Sequence, residues 1–193
     1  MLSIVICTHN RAESLRHALQ GVAEQAVPAG ESLEVIVVDN ASSDHTRAVV
    51  HEAAGDRRLP IRYVLERTLG LSHARNRGIR EAQGALILFT DDDVLPSPRW
   101  VEQLSGAMKR FNADAGGGAI LPLWLSPPPA WLEAPALRSC LWGVIGLLCR
   151  QETGLVDADD PAPFFGGNMA FRRYGVVSHR LRGDALEVDA VHC

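Results

Sequence analysis

The sequence predicts an α/β fold with a mostly parallel central sheet. Through the first 111 residues, short runs rich in Val, Ile and Leu alternate with segments whose apolar residues follow a helical spacing. Such alternation is typical of βαβ units, in which helices cover both faces of a parallel sheet. Hydrophobic residues make up 47% of the 193-residue chain and charged residues 22%, so the chain can build a sizeable core.

Four strand–helix pairs follow one another along this part of the chain. Apolar positions at Leu15, Leu19 and Val22 mark the first helix, and Ser42 or Ser43 is the expected N-cap of the second. Strands are predicted at 2–7, 33–38, 61–65 and 85–89, and helices at 12–26, 43–54, 71–83 and 98–111. Beyond them, a strand-like run is predicted within 115–125 and a helix at 136–149.

The charge balance and the apolar runs limit the class of protein. With 19 basic and 23 acidic residues, the net charge of −4 argues against nucleic acid as a partner. No signal peptide is visible, and the four cysteines show no CxxC spacing. These features predict a cytoplasmic protein. The apolar run 140–149 is interpreted as a buried helix, and peripheral contact with the inner face of a membrane is the alternative.

Three polar clusters follow predicted strands, at residues 8–11, 39–44 and 90–93. In open parallel sheets, ligands bind at the carboxyl ends of the strands. One polar turn after a strand is ordinary, but three such turns, two of them acidic, indicate a binding site. The sequence therefore predicts that the functional residues lie directly after the strands.

The acidic triplet Asp91-Asp92-Asp93 is the most specific of these features. Adjacent carboxylates repel one another unless a counter-charge is present, and Mg²⁺ or Mn²⁺ is a suitable one. In an extended segment Asp91 and Asp93 point to one side and Asp92 to the other. The predicted roles are metal binding by Asp93, and metal or ribose binding by Asp91. The alternative is an acidic turn that caps the next helix.

Residues after the first two strands offer hydrogen-bonding groups for a nucleoside. Thr8, Asn10 and Arg11 supply a hydroxyl, an amide and a cation, and Asp39 can accept from a base N–H or a ribose hydroxyl. The alternatives are structural. In that case Thr8, Asn10 and Arg11 would cap the helix that follows them. Asp39 would be a turn residue that assists the start of the next helix.

The start of the third helix carries unusual positive charge. Arg75 and Arg77 are two residues apart, so a helix points them about 200° apart. Arg75 and Asn76 could then face a diphosphate while Arg77 faces solvent. Cations at a helix start oppose its dipole, and a bound anion would relieve that cost. An ordinary basic helix start is the alternative.

Five segments together resemble family 2 glycosyltransferases of the GT-A fold. The segments stand in the family's order and spacing, and the last reads Gly-Gly-Asn-Met-Ala-Phe-Arg-Arg. The resemblance covers residues 2–173 and implies a Rossmann-like βαβ sandwich with a nucleotide-binding half at 1–95 and an acceptor-side half at 96–173. The segments are 3–11, 35–44, 70–78, 89–94 and 166–173.

The resemblance also implies a function. It implies transfer of a sugar, with inversion, from a UDP- or dTDP-type nucleotide-sugar donor to a glycan or lipid-linked acceptor in cell-surface polysaccharide biosynthesis. The cofactor would be Mg²⁺ or Mn²⁺. Carried onto this sequence, the nucleotide-sugar site comprises Thr8, Asn10, Arg11, Asp39, Arg75, Asn76, Asp91 and Asp92, the metal site comprises Asp93 and Asp91, and the donor-sugar and acceptor site includes Gly167 and Asn168.

The chain departs from the family pattern after Arg173. The family's general base is a carboxylate some 20 to 30 residues past the Gly-Asn-Met segment, and here only Glu187 and Asp189 are candidates. Residues 174–193 are therefore expected to be an atypical, disordered tail that follows a truncation or a change of frame. One alternative function is a catalytically incompetent fragment that only binds nucleotide-sugar. A nucleotidyltransferase is the second, although 8–11 lacks the glycine-rich loop expected there.

Overall fold

The computed structural model describes residues 1–55, 60–124, 126–129, 131 and 166–174. Six strands and four helices lie within them. In chain order they are β1 (Leu2–Thr8), α1 (Ala12–Ala23), β2 (Leu33–Asp39), α2 (Thr46–Gly55), β3 (Ile61–Leu65), α3 (Leu71–Glu81), β4 (Leu86–Asp91), α4 (Trp100–Arg110), β5 (Ala115–Gly117) and β6 (Met169–Arg172).

All six strands form one sheet in the order β3-β2-β1-β4-β6-β5. The first four strands are mutually parallel, whereas β6 runs antiparallel to both of its neighbours, β4 and β5. The predicted α/β class with a mostly parallel sheet is thus confirmed.

Several boundaries differ from those predicted. The first helix ends at Ala23, and the second begins at Thr46, where Asp44 rather than a serine accepts the Thr46 backbone N–H and hydroxyl. Within 115–125 only Ala115–Gly117 is assigned as a strand, while the C-terminal segment around Met169 contributes a strand that the sequence did not predict. The predicted helix at 136–149 lies outside the described residues.

Both faces of the sheet are buried, which explains why the strands read as continuous apolar runs. On one face Ile4, Ile6 and Leu88 belong to a core with Leu15 and Leu19 of α1, and α2 and α4 add to that core. On the other face, Ala74 and Ile79 of α3 pack against the strands. The strand residues in this second core include Val5, Ile36 and Ile87. None of the described helices is long and apolar enough to cross a bilayer.

The carboxyl ends of three parallel strands meet at one edge of the sheet. In the strand register Thr8 pairs with Asp39 on β2, and Cys7 pairs with Asp91 on β4. The three polar clusters of the sequence are therefore neighbours in space, as the parallel sheet predicts.

Candidate functional site

Two cavities open at this edge and share part of their lining. One, here called the Arg75 cavity, measures about 660 Å³ and includes Arg75, Asp91, Asp93 and Asn168 in its lining. The other, the Arg11 cavity, measures about 470 Å³ and is lined by Arg11 and by residues of β1, β4 and α3. Asp91 and Asp93 line both cavities, so the acidic triplet lies where the two cavities meet.

The triplet begins on the last residue of β4 and continues into a turn. Val94 donates its backbone N–H to the Asp91 carbonyl at 3.3 Å. Asp92 lines only the Arg11 cavity, so Asp91 and Asp93 share a side that Asp92 does not, as the alternation predicts. The alternative that the triplet caps the next helix is wrong, because α4 begins only at Trp100 and has no side-chain cap there.

Positive charge surrounds the triplet. An Arg11 guanidinium nitrogen lies 2.5 Å from Asp93 Oδ2 and 3.5 Å from Asp92 Oδ1. Burial raises the pKa of the Asp91 carboxyl, and the nearby Arg75 guanidinium partly offsets that rise. Burial also raises the pKa of the Cys7 thiol to about 12, so this thiol is uncharged at neutral pH and is a poor nucleophile.

The donor set at the triplet fits a hard divalent cation. Among the described residues no group of three or more His, Cys, Asp or Glu side chains is arranged to hold a metal by itself. Mg²⁺ is commonly bound through one or two carboxylates, with the remaining positions filled by waters and substrate phosphates. Asp91 and Asp93 supply two carboxylates beside open space, which is the arrangement such a shared site needs.

Of the three residues predicted after the first strand, Thr8 and Arg11 line the Arg11 cavity, whereas Asn10 lines neither cavity. Thr8 is 3% exposed, and its hydroxyl lies close enough to Asp92 to favour the charged form of that carboxyl. Asn10 instead joins two loops. Its side-chain oxygen accepts a hydrogen bond from the Ser43 backbone N–H at 2.7 Å, and the Asn10 backbone N–H donates to Ser42 Oγ.

Asp39 points into the protein and lines neither cavity. It is 2% exposed, and its two oxygens accept from the Ser42 backbone N–H at 2.8 Å and the Tyr63 hydroxyl at 2.7 Å. Burial and the Asp39 carboxylate raise the pKa of Tyr63 to about 12. The geometry matches the turn interpretation of Asp39, and its reading of a base stays a prediction.

Asn40, which the sequence analysis did not single out, organises the site. Its amide donates to the Thr68 carbonyl at 2.6 Å and accepts the Gly70 N–H at 2.8 Å, which fixes the loop before α3. His9 Nδ1 lies 2.7 Å from the Asn40 carbonyl, so this nitrogen carries the proton. The only sequence signal for this role was an asparagine directly after a buried strand.

The segment before β6 reaches the site from the other side. Asn168 accepts a hydrogen bond from the Trp100 indole at 2.8 Å and donates to the Ala119 carbonyl at 2.9 Å. Gly167 lies over Asp91, since a Cβ built on it would be 3.1 Å from Asp91 Oδ2. The structure thus brings Gly167 and Asn168 to the acidic triplet, and it adds Trp100 as a residue that the sequence did not reveal.

Asn76 and Arg77 do not line either cavity. The Asn76 side-chain oxygen is buried without a partner among the described residues, and Arg77 pairs with Glu81 at 2.9 Å. The predicted division between Arg75 and Arg77 is therefore found, whereas contact of Asn76 with a ligand stays a prediction. Glu187 and Asp189 lie outside the described residues.

Comparison with known proteins shows the family to which the chain belongs. The family model described as Glycosyl transferase family 2 matches residues 3–173. The chain belongs to this family. A validoxylamine A glucosyltransferase from Streptomyces hygroscopicus subsp. jinggangensis is 41% identical over 109 residues, which are 55% of this family 2 chain and 25% of that relative. The chain therefore spans only part of the length of the relatives it matches.

Solved structures confirm the fold of this family 2 chain. The structure of S. aureus TarS residues 1–349 in complex with UDP has a TM-score of 0.68 at 18% identity, and the match covers 92% of this chain and 48% of that TarS fragment. The mannosyltransferase PcManGT from Pyrobaculum calidifontis, in complex with GDP-Man and Mn²⁺, has a TM-score of 0.64 at 25% identity. That match covers 98% of this chain and 48% of the PcManGT chain. The expected GT-A architecture is thus confirmed.

Proposed function

We propose that this chain carries the donor site of a glycosyltransferase that moves a sugar from a nucleotide-sugar, with inversion, to a glycan or lipid-linked acceptor in cell-surface polysaccharide biosynthesis. One observation carries the proposal: two cavities meet at Asp91 and Asp93, at the carboxyl edge of a parallel sheet. Family membership and the nucleotide and nucleotide-sugar bound to TarS and PcManGT support it.

The nucleoside belongs in the Arg11 cavity. Its lining combines hydrogen-bonding groups, such as the Thr8 hydroxyl and His9, with the apolar side chains of Leu71 and Ala74. Such a mixed lining suits a flat base and a ribose. The sugar then occupies the Arg75 cavity beside Asn168, and the diphosphate lies between them at the acidic triplet.

Charge at the junction suits a departing diphosphate. Arg75 lines one cavity and Arg11 the other, so a cation faces the diphosphate from each side. Asp91 and Asp93 are the residues that would hold Mg²⁺ or Mn²⁺. A cation bound there supplies further positive charge to the phosphate oxygens.

The described residues do not provide an evident general base for the acceptor. Asp91 and Asp93 are the two carboxylates in the described lining of the Arg75 cavity, and both are proposed to bind metal. Glu187 and Asp189 remain candidates from the sequence. The second candidate function is therefore donor binding without transfer, which the same cavities would support.

Calorimetry with UDP, dTDP and GDP tests the donor site, with Mn²⁺ present and again with a chelator. We expect at least one nucleoside diphosphate to bind, and to bind more tightly with Mn²⁺. Absence of binding by all three would overturn the proposal, and equal affinity in both conditions would overturn the metal's role. Incubation with labelled nucleotide-sugar and acceptor then separates transfer from binding alone. In a separate incubation with a nucleoside triphosphate and a sugar 1-phosphate, release of pyrophosphate would indicate a nucleotidyltransferase instead.

A further inference from the structure

Gly166 lies directly against the Arg75 side chain. A Cβ built on Gly166 would be 2.0 Å from Arg75 Nη2 and 3.1 Å from its Cζ. These atoms cannot share that space, because ordinary carbon contacts begin near 3.4 Å. The guanidinium can therefore occupy its observed position only because residue 166 has no side chain.

The glycine side of this contact is the fixed one. Asn168 is tied to Trp100 and Ala119 through its side chain, and its carbonyl accepts the Gly118 N–H at 3.2 Å. Met169 follows at once and is 1% exposed in the sheet. Gly166 is thus followed by a segment that is anchored by hydrogen bonds and by burial in the sheet.

The arginine side is the mobile one. Arg75 makes no ion pair among the described residues, and its guanidinium ends in the Arg75 cavity. Four side-chain torsions separate that group from the backbone, so it can swing aside at little cost. A methyl group on residue 166 would thus displace the arginine and not the strand.

We infer that Gly166 is a positioning residue whose missing side chain leaves room for the Arg75 guanidinium at the place in the cavity where it faces the donor diphosphate. The inference rests on the proposed function for the identity of that ligand. Gly166 does not have a positive φ, so alanine is compatible with its backbone and the fold should survive the substitution. The expected effect is on binding and not on stability.

A double-mutant cycle tests this on the full chain, with UDP and GDP as probes in the presence of Mn²⁺. Gly166→Ala and Arg75→Ala should each weaken binding by about tenfold or more, the usual scale for a hydrogen bond to a charged group. The double variant should bind no more weakly than Arg75→Ala, because the guanidinium that the methyl group displaces is already gone. Gly106→Ala is the matched control, since a Cβ there meets nothing within 4 Å.

Lysine at position 75 provides a rescue test. The Arg75→Lys ammonium ends near the place of Arg75 Cζ, which is 3.1 Å from the built Cβ instead of 2.0 Å. Adding Gly166→Ala to this variant should therefore change the affinity less than twofold. A tenfold loss there, or additive losses in the alanine cycle, would overturn the inference, because the glycine would then act on something other than the guanidinium.

The two proposals fail in different ways. If Arg75→Ala weakens binding and Gly166→Ala does not, the inference is wrong while the donor site stands. If the unaltered protein binds none of UDP, dTDP and GDP, the donor site is wrong, and a crystal structure of Gly166→Ala decides the inference. In that structure the distance between the new methyl carbon of Gly166→Ala and Arg75 Nη2 should be about 3.4 Å, because the arginine has moved from the place where it would be 2.0 Å. A guanidinium that has not moved would overturn the inference.

Discussion

Arg11 and Asp93 are 82 residues apart in the chain and form an ion pair of 2.5 Å at the mouth of the site. Asp93 is also the carboxylate proposed to bind a divalent cation. The Arg11 guanidinium already neutralises part of the negative charge of the Asp93 carboxylate, which a bound cation would otherwise neutralise. The guanidinium and the metal therefore compete for one carboxylate, and this competition can be measured.

Replacing Arg11 with glutamine should tighten the binding of Mn²⁺ when no nucleotide is present. Exposed ion pairs contribute about 0.2–1 kcal/mol, so the expected gain is up to about fivefold. A titration followed by electron paramagnetic resonance measures the free metal directly. Arg99→Gln is the control, because Arg99 pairs with Glu102 on α4 and lines neither cavity. Unchanged or weaker affinity in Arg11→Gln would show that the two cations do not compete.

Asp93→Asn should remove the effect of Mn²⁺ on nucleotide binding. The amide keeps the size of the side chain but loses the negative charge that a hard cation requires. In calorimetry with UDP or GDP, the variant should bind equally well with Mn²⁺ and with chelator. Asp114→Asn is the matched control, since that carboxylate is 88% exposed beside Arg172. If Asp93→Asn retains the dependence on Mn²⁺, the cation is bound elsewhere.

Gly78→Ala should destabilise the fold, because α3 packs on β1 at this residue. A Cβ there would lie 2.3 Å from Val5 Cγ1, inside the core. Overpacking of this kind costs about 1–3 kcal/mol of unfolding free energy, measurable by urea denaturation. The same substitution at Gly106, an exposed position of α4, should instead stabilise by about 0.5–1 kcal/mol. Adding Val5→Ala should offset part of the Gly78→Ala loss, and strict additivity would contradict the clash.

Glu31 should make stability depend on pH in the acid range. Hydrogen bonds from Lys109 and the N-terminal ammonium lower the pKa of its carboxyl from 4.5 to about 2. Since the folded pKa lies below the unfolded one, the stabilisation is present above pH 4.5 and is lost as the pH falls toward 2. The loss should not exceed about 1 kcal/mol, because the pair is near the surface.

The check is urea denaturation of Glu31→Gln between pH 7 and pH 2.5. The variant should be less stable than the unaltered protein at pH 7, and the difference should shrink as the pH falls. Glu24→Gln, at an exposed position after α1, is the control and should show a constant difference. A difference for Glu31→Gln that does not vary with pH would contradict the prediction.

Local patterns predicted the strands β1 to β4 and the helices α1 to α4 to within a few residues, because their apolar spacing is local information. The same patterns did not predict β6. Met169–Arg172 is only four residues long and follows the segment Gly-Gly-Asn. Its antiparallel pairing with β4 depends on residues some 80 positions earlier. The β-strand propensity of so short a segment does not predict a pairing with residues that are distant in the sequence.

The α/β class, the family motifs and the edge of the sheet that carries the candidate site are all evident in the amino-acid order. The three-dimensional arrangement is needed to see which polar side chains reach that site: Asp91 and Arg75 do, whereas Asp39 turns inward to Tyr63. The pairing of Arg11 with Asp93 and the contact of Gly166 with Arg75 are likewise visible only after folding. This is because strand periodicity fixes the edge where a residue lies, while contacts between distant segments fix where its side chain points.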